Sequence, residues 1–244
     1  MFRNLFFAAL VAALCAGLVT SVIQHFRLTP MIFAAEAFEG AGGHSHGEEE
    51  ATHSHEESTP AHSHGEDEWM PQDGLERTAF TVASNILAAA GYALIIGAVA
   101  VLFNVPINGT TGLLWGLAGF AAFTLAPSFG LPPGLPTMPV ADTLARQLWW
   151  AGTAIATGAA CLLLAKNRAG WAVAVAVALI VAPHIIGAPQ PPDEATGVPA
   201  GLAAGFAAAV ITNGAVFWLV LGLAFGAVND RLAARNAVPA GAIA

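Results

Sequence analysis

The chain alternates long apolar runs with short polar interruptions. Six runs, near residues 5–26, 79–103, 111–129, 147–165, 170–187 and 202–228, reach or approach the ~18 residues that a helix needs to cross a bilayer. They predict an all-α integral membrane protein of about six transmembrane helices, one domain over residues 1–244, with both termini on the same side. Alanine and glycine fill all six runs, and small residues let membrane helices approach closely. Gly-x-x-x-Gly occurs at Gly201–Gly205 and at Gly222–Gly226, although in a chain with 26 glycines composition alone makes the motif common. An alternative treats the first run as a cleaved signal peptide, with "FAAEA" as the cleavage region, which leaves five spans. Its apolar stretch of roughly twenty residues exceeds the usual h-region.

Composition agrees with the pattern. Hydrophobic residues make up 56% and charged residues 10%, against about 25% charged in soluble domains. Mean hydropathy is +0.66. Cys15 and Cys161 both lie in apolar runs, so neither a disulfide framework nor a CxxC knuckle is available. The net charge of −8 comes mostly from one stretch, residues 42–69, and does not describe a nucleic-acid-binding face. With six spans, Arg3, Lys166, Arg168, Arg231 and Arg235 fall on one side, and Arg27, Arg77 and Arg146 on the other. Of the acidic residues, Asp230 alone shares the first side. The positive-inside rule makes that side cytoplasmic and turns the three long polar loops outward.

One of those loops changes the functional picture. "HSHGEEEAT", "HSHEESTPA" and "HSHGEDEWM" repeat with a period of nine and carry His44, His46, His53, His55, His62 and His64. In an extended chain, side chains two residues apart point the same way. Each His-Ser-His can thus offer two imidazoles to one ion, with a glutamate oxygen nearby. Imidazole with carboxylate suits divalent cobalt, nickel, copper and zinc, and no thiolate is present to favour Cu(I). So polar a stretch predicts a disordered outward loop over 40–70 with several weak exchangeable sites. A merely solvating loop is the plainer reading.

Inside the spans the polar groups are neutral: Ser84, Asn85, Thr124, Thr153, Thr157, Thr212 and Asn213. They are candidates for interhelical hydrogen bonds or for oxygen ligands along an ion path. Polar and ionisable groups gather at the predicted outer ends: Gln24 and His25 at the end of span one, then Glu36 and Glu39, with Asp142 and Arg146 before span four and His184 at the end of span five. Glu36, Glu39, His25 and His184 form a candidate divalent-metal entry site, with Gln24, Arg146, Gln147 and Trp149 orienting it. In this reading Arg146 pairs with a carboxylate such as Glu39 and does not face the ion. Trp149 and Trp150 read first as an interfacial belt. The proline-rich stretch 127–139 cannot continue a helix and is either an ordered loop or an outer plug.

"AEAFEG" after the first span, "FGLPPGLP", "RQLWW" and "PHIIGAP" together resemble, over nearly the whole chain, the bacterial cobalt transporter subunit CbtA family. The resemblance implies a multi-pass inner-membrane protein for cobalt uptake in cobalamin-related contexts, associated with CbtB, a small single-span subunit that carries histidines. By the same resemblance Glu36, Glu39, Arg146, Gln147, Trp149 and His184 carry over. The chain departs from it at Gly134, where a Pro-Pro-Glu-Leu-Pro pattern would place a glutamate. The leading expectation is therefore a permease for Co²⁺ with a periplasmic histidine-rich capture loop and no permanent cofactor. A Ni²⁺ or Zn²⁺ transporter is the second, and a non-transporting metal sensor or accessory protein the third. No nucleophile–base pair, buried acid pair or Walker A motif points to an enzyme.

Overall fold

A computed structural model describes residues 2–38, 71–72, 74–136, 138–193 and 196–237. Every predicted span is a helix, and no strand occurs among the described residues. The first is α1 (Phe2–Ile23), which passes through a π-helical turn at Gln24–Leu28 into α2 (Thr29–Glu36). α3 (Leu75–Leu102) follows the histidine stretch. α4 (Gly112–Phe120) runs through a second π-turn, Ala121–Leu125, into α5 (Ala126–Gly130). α6 (Thr143–Lys166), α7 (Gly170–Ile186) and α8 (Ala200–Ala237) complete the chain. Five helical stretches are long and apolar enough to cross a membrane, and α7 is a shorter apolar helix.

The core is a stripe of small residues that receives large ones. Ala8, Ala9, Ala12, Ala13 and Ala16 recur at helical spacing on α1 and are buried. Ala89, Ala93, Ile96 and Ala100 of α3 join them, with Trp218, Leu221 and Phe225 of α8. In lipid, dispersion and close fit hold helices together, because the tails are as apolar as leucine. The segment that signal cleavage would remove thus supplies five alanines of this core.

α4 and α8 meet backbone to backbone. A Cβ on Gly116 would lie 2.5 Å from the Trp218 carbonyl oxygen, and one on Gly222 would lie 2.8 Å from Gly116 Cα. Gly112 and Gly226 complete the seam. Of the two expected Gly-x-x-x-Gly pairs, Gly222–Gly226 is therefore used backbone to backbone, while Gly201 has nothing within 4 Å of a Cβ position. The end bearing Lys166 is tied by polar contacts. Asn229 Nδ2 donates to the Ile107 carbonyl at 2.8 Å, Gly109 N–H to Asp230 Oδ2 at 2.7 Å, and Lys166 Nζ to the Phe103 carbonyl at 2.8 Å.

At the opposite end, α1 and α8 outrun the bilayer. The 34 residues Arg3–Glu36 extend roughly 51 Å at helical rise, against a hydrocarbon core of ~30 Å. Leu28 and Ala35 from the first stretch and Phe206 of α8 form a second apolar cluster with Leu135 and Val198 of the connecting segments, with Met31, Ile32 and Met138 around it. This lengthens the first predicted span, 5–26. The π-turn absorbs the proline at position 30, and "TPMIFAAE" remains apolar enough to stay helical. It also gives the proline-rich stretch its place. α5 carries the helix to Gly130, and beyond it Leu135 is buried in the end cluster.

Candidate ion-entry cavity

The end of α7 reads Val-Ala-Pro-His, with Pro183 inside the helix. Across from it on α6, Trp149 donates its indole N–H to the Pro183 carbonyl at 3.2 Å. That bond sets the Trp149 ring 5.7 Å from the His184 ring. Phe129 of α5 approaches the same imidazole edge-on at 6.2 Å. His184 is thereby held between two aromatic side chains, and Trp149 acts as a brace between α6 and α7 as well as an aromatic at the membrane end.

Below His184 lies a cavity of about 710 Å³ whose lining includes Ala121, Leu125, Phe129, Trp149, Thr157 and His184. It begins among the residues that follow α7, at Gly187 and Gln190, and reaches Thr157 near the middle of α6. The second π-turn supplies Ala121 and Leu125 to the wall. The turn remains helical, with the Ala126 N–H bonded five residues back to the Ala121 carbonyl. On its other side Thr124 Oγ1 accepts the indole N–H of Trp218 at 3.0 Å, and the Trp218 and Phe123 rings stack at 5.4 Å.

The first π-turn has a polar neighbour too. Asn85 Nδ2 donates to Gln24 Oε1 at 2.8 Å and to Ser21 Oγ at 3.0 Å. Both π-turns end two residues before a proline within a Phe-x-Leu-x-Pro sequence, Phe26–Pro30 and Phe123–Pro127. That repeated motif marks both π-turns in the sequence, and the reading of apolar runs alone passed over it.

The structure distributes the expected entry site. Glu36 lies 3.3 Å from Arg77 Nη2 as an ion pair, and Arg77 also stacks over Phe33 at 5.0 Å. Arg77 was not among the expected site residues. His184 belongs instead to the α5–α6–α7 cavity. Gln24 is bonded to Asn85, while His25 is exposed on the first π-turn beside Phe26. Arg146 is half-buried at the start of α6 and forms no ion pair with a described carboxylate; Gln147 is exposed. Glu39 and the ribbon histidines His44, His46, His53, His55, His62 and His64 lie outside the described residues. Among the described residues no three His, Cys, Asp or Glu side chains come together as a metal site. Ser84 and Thr212 are exposed on the surface that faces away from the bundle.

Residues 2–230 match the family model described as probable cobalt transporter subunit (CbtA). Neither a curated protein nor a solved structure matches the chain. The chain belongs to the CbtA family.

Proposed function

We propose that this member of the CbtA family is the membrane-spanning permease subunit for uptake of a divalent transition metal, with Co²⁺ as the substrate. The observation that carries the reading is the cavity, which joins an imidazole near its mouth to the middle of a membrane-spanning helix in a family of transporter subunits. The positive-inside argument from Arg3, Lys166, Arg168, Arg231 and Arg235 makes the His184 end periplasmic and both termini cytoplasmic. The cavity then opens toward the side from which metal arrives, and the α4–α8 seam lies toward the cytoplasm. The histidine repeat between α2 and α3 leaves from the same periplasmic side. It concentrates metal through paired imidazoles and delivers it to His184. A small CbtB-like single-span subunit is the partner this reading calls for. Glu36, paired with Arg77, stands beside the root of the ribbon and stabilises that end of α2 and α3.

Purified chain in proteoliposomes, alone and with the single-span partner, should take up Co²⁺ faster than Ni²⁺ or Zn²⁺. Faster Ni²⁺ or Zn²⁺ uptake would reassign the substrate. Metal binding without transport in either preparation would make the chain a sensor or accessory protein.

A further inference from the structure

The helices fall into two bodies. α1, α3, α4 and α8 are joined through the alanine core and the glycine seam. α6 and α7 pack mainly on each other, with Ala172 and Ala176 of α7 buried. Their main other neighbour is the helical run from α4 through the π-turn into α5. The cavity lies between the two bodies. Ala121, Leu125 and Phe129 form one wall, and Trp149, Ile180 and His184 form the other.

The two ends of the α6–α7 hairpin are held differently. At the His184 end, Trp149 lies directly over Gly130 and leaves no room there for a side chain. Phe129 and Trp149 enclose the imidazole, and Trp150 meets Phe123 with ring centres 6.0 Å apart. Both chain connections to the rest of the molecule also leave from this end, through the proline-rich stretches 131–142 and 187–199. Gly187 turns the second of them with a φ of +90°. At the Lys166 end the two helices are joined only to each other, by the turn 167–169. Among the described residues, a single hydrogen bond ties the hairpin to the other helices, from Lys166 Nζ to the Phe103 carbonyl. Both residues are exposed, so water competes for that bond. At the inner limit of the cavity nothing interlocks. A Cβ on Gly158 would lie 4.0 Å from Ala122 Cβ and meet no nearer atom of another helix.

We propose that the α6–α7 hairpin tilts about its His184 end, and that release of the Lys166–Phe103 hydrogen bond lets its inner end part from α3 and α4 and open the floor of the cavity. A rigid body tethered at one end moves most at the other. Transporters alternate access largely by rocking one bundle against another; here the packing names the moving body, its pivot and its latch. The proposal rests on the permease reading for its purpose, since the tilt supplies the step by which metal leaves toward the Lys166 side. The smooth contact of Gly158 with Ala122 parts without unlocking a bulky side chain, whereas the aromatic clamp around His184 stays closed on itself and keeps the pivot in place.

Two measurements on the full-length chain, carrying Cys15→Ala and Cys161→Ala, test the tilt. Ala122→Cys with Gly158→Cys sets two thiols at the Cβ separation of a disulfide. Oxidised with iodine in proteoliposomes, this pair should lose at least about tenfold in Co²⁺ uptake, because a conformational step is blocked, and reduction should restore it. Complete cross-linking with uptake within about twofold of the reduced form overturns the proposal. Separately, distances between spin labels are measured in nanodiscs without metal. One pair marks the inner ends, at Ala169→Cys and Ala234→Cys, and another the outer ends, at Leu144→Cys and Gly201→Cys. Adding Lys166→Met should raise a longer component of the inner distance several-fold and leave the outer distance unchanged. An inner distance indifferent to Lys166→Met, or an outer distance that changes as much as the inner one, overturns the proposal. If the wild-type chain moves no metal yet the inner ends part and the outer ends do not, the permease reading fails and the tilt stands.

Discussion

Along the α4–α8 seam, Gly112 and Gly116 meet Gly222 and Gly226 so closely that a Cβ at Gly116 would sit 2.5 Å from a backbone oxygen. A few residues further along the same helical run, Ala121 and Ala126 lie around a cavity of about 710 Å³ together with Gly187. Both regions include residues with almost no side chain. In the first, the missing side chains let two backbones touch. In the second, bulky neighbours hold the backbones apart: Trp149 is braced on Pro183, and Phe129 and His184 pack at the rim. Small residues therefore permit either closure or space, and the nearest large side chain decides which. The π-turn at Ala121–Leu125 marks the change from one regime to the other within a single span.

The largest effect is expected at the seam. Gly222→Val should cost roughly 1–3 kcal/mol or more through overpacking against backbone that cannot move aside, read as a lower unfolding temperature in detergent. Gly201→Ala, at the other Gly-x-x-x-Gly, should be neutral or stabilising by up to about 1 kcal/mol, since alanine is the better helix former and the site is open. Equal effects at the two glycines would break the comparison.

The cavity side predicts changes in transport with little change in stability. His184→Ala should reduce Co²⁺ uptake roughly tenfold, the loss of about 1.4 kcal/mol, while the unfolding temperature stays near wild type. Glu36→Gln should affect uptake less. Its pair with Arg77 is partly exposed, and such pairs contribute at most about 1 kcal/mol. A greater loss from Glu36→Gln than from His184→Ala would move the entry point to the α2–α3 side.

A smaller, conditional effect belongs to the ribbon. Changing His44, His46, His53, His55, His62 and His64 to alanine should raise the Co²⁺ concentration for half-maximal uptake a few-fold and leave the maximal rate unchanged. Metal binds neutral imidazole, whose reference pKa is about 6.5. Capture is therefore complete above that pH and is lost as pH falls through it, so mutant and wild type should converge below about pH 6. Loss of maximal rate would place the ribbon in translocation. The orientation behind all of these is checked by labelling cysteines placed at Ser54 and Asn167. An impermeant thiol reagent should reach the first from outside and leave the second untouched.

The sequence by itself located the six apolar helical stretches, because hydrocarbon thickness sets a length that six apolar runs meet or approach, whatever surrounds them. It also determined the family, through motifs that stand near the turns and helix ends. It named His184 as a candidate ligand at a helix end, Trp149 as an orienting or interfacial aromatic, and Thr157 as one of several neutral polar groups within the spans. Tertiary structure decided their company. Glu36 and His184 both stand near helix ends on one membrane side, a level that spacing along the chain reveals, yet they fall to different helix groups because rotation about each helix axis depends on packing. Arg77 was passed over for the same reason, since only the α2–α3 approach gives it a partner in Glu36. Thr153 and Thr157 look alike in sequence. The Thr153 hydroxyl closes on its own helix, whereas the Thr157 hydroxyl is buried without a hydrogen-bond partner, and packing against other helices decides the difference. Composition states how much small residue a chain contains; only contact between distant segments decides whether it becomes a seam or a space.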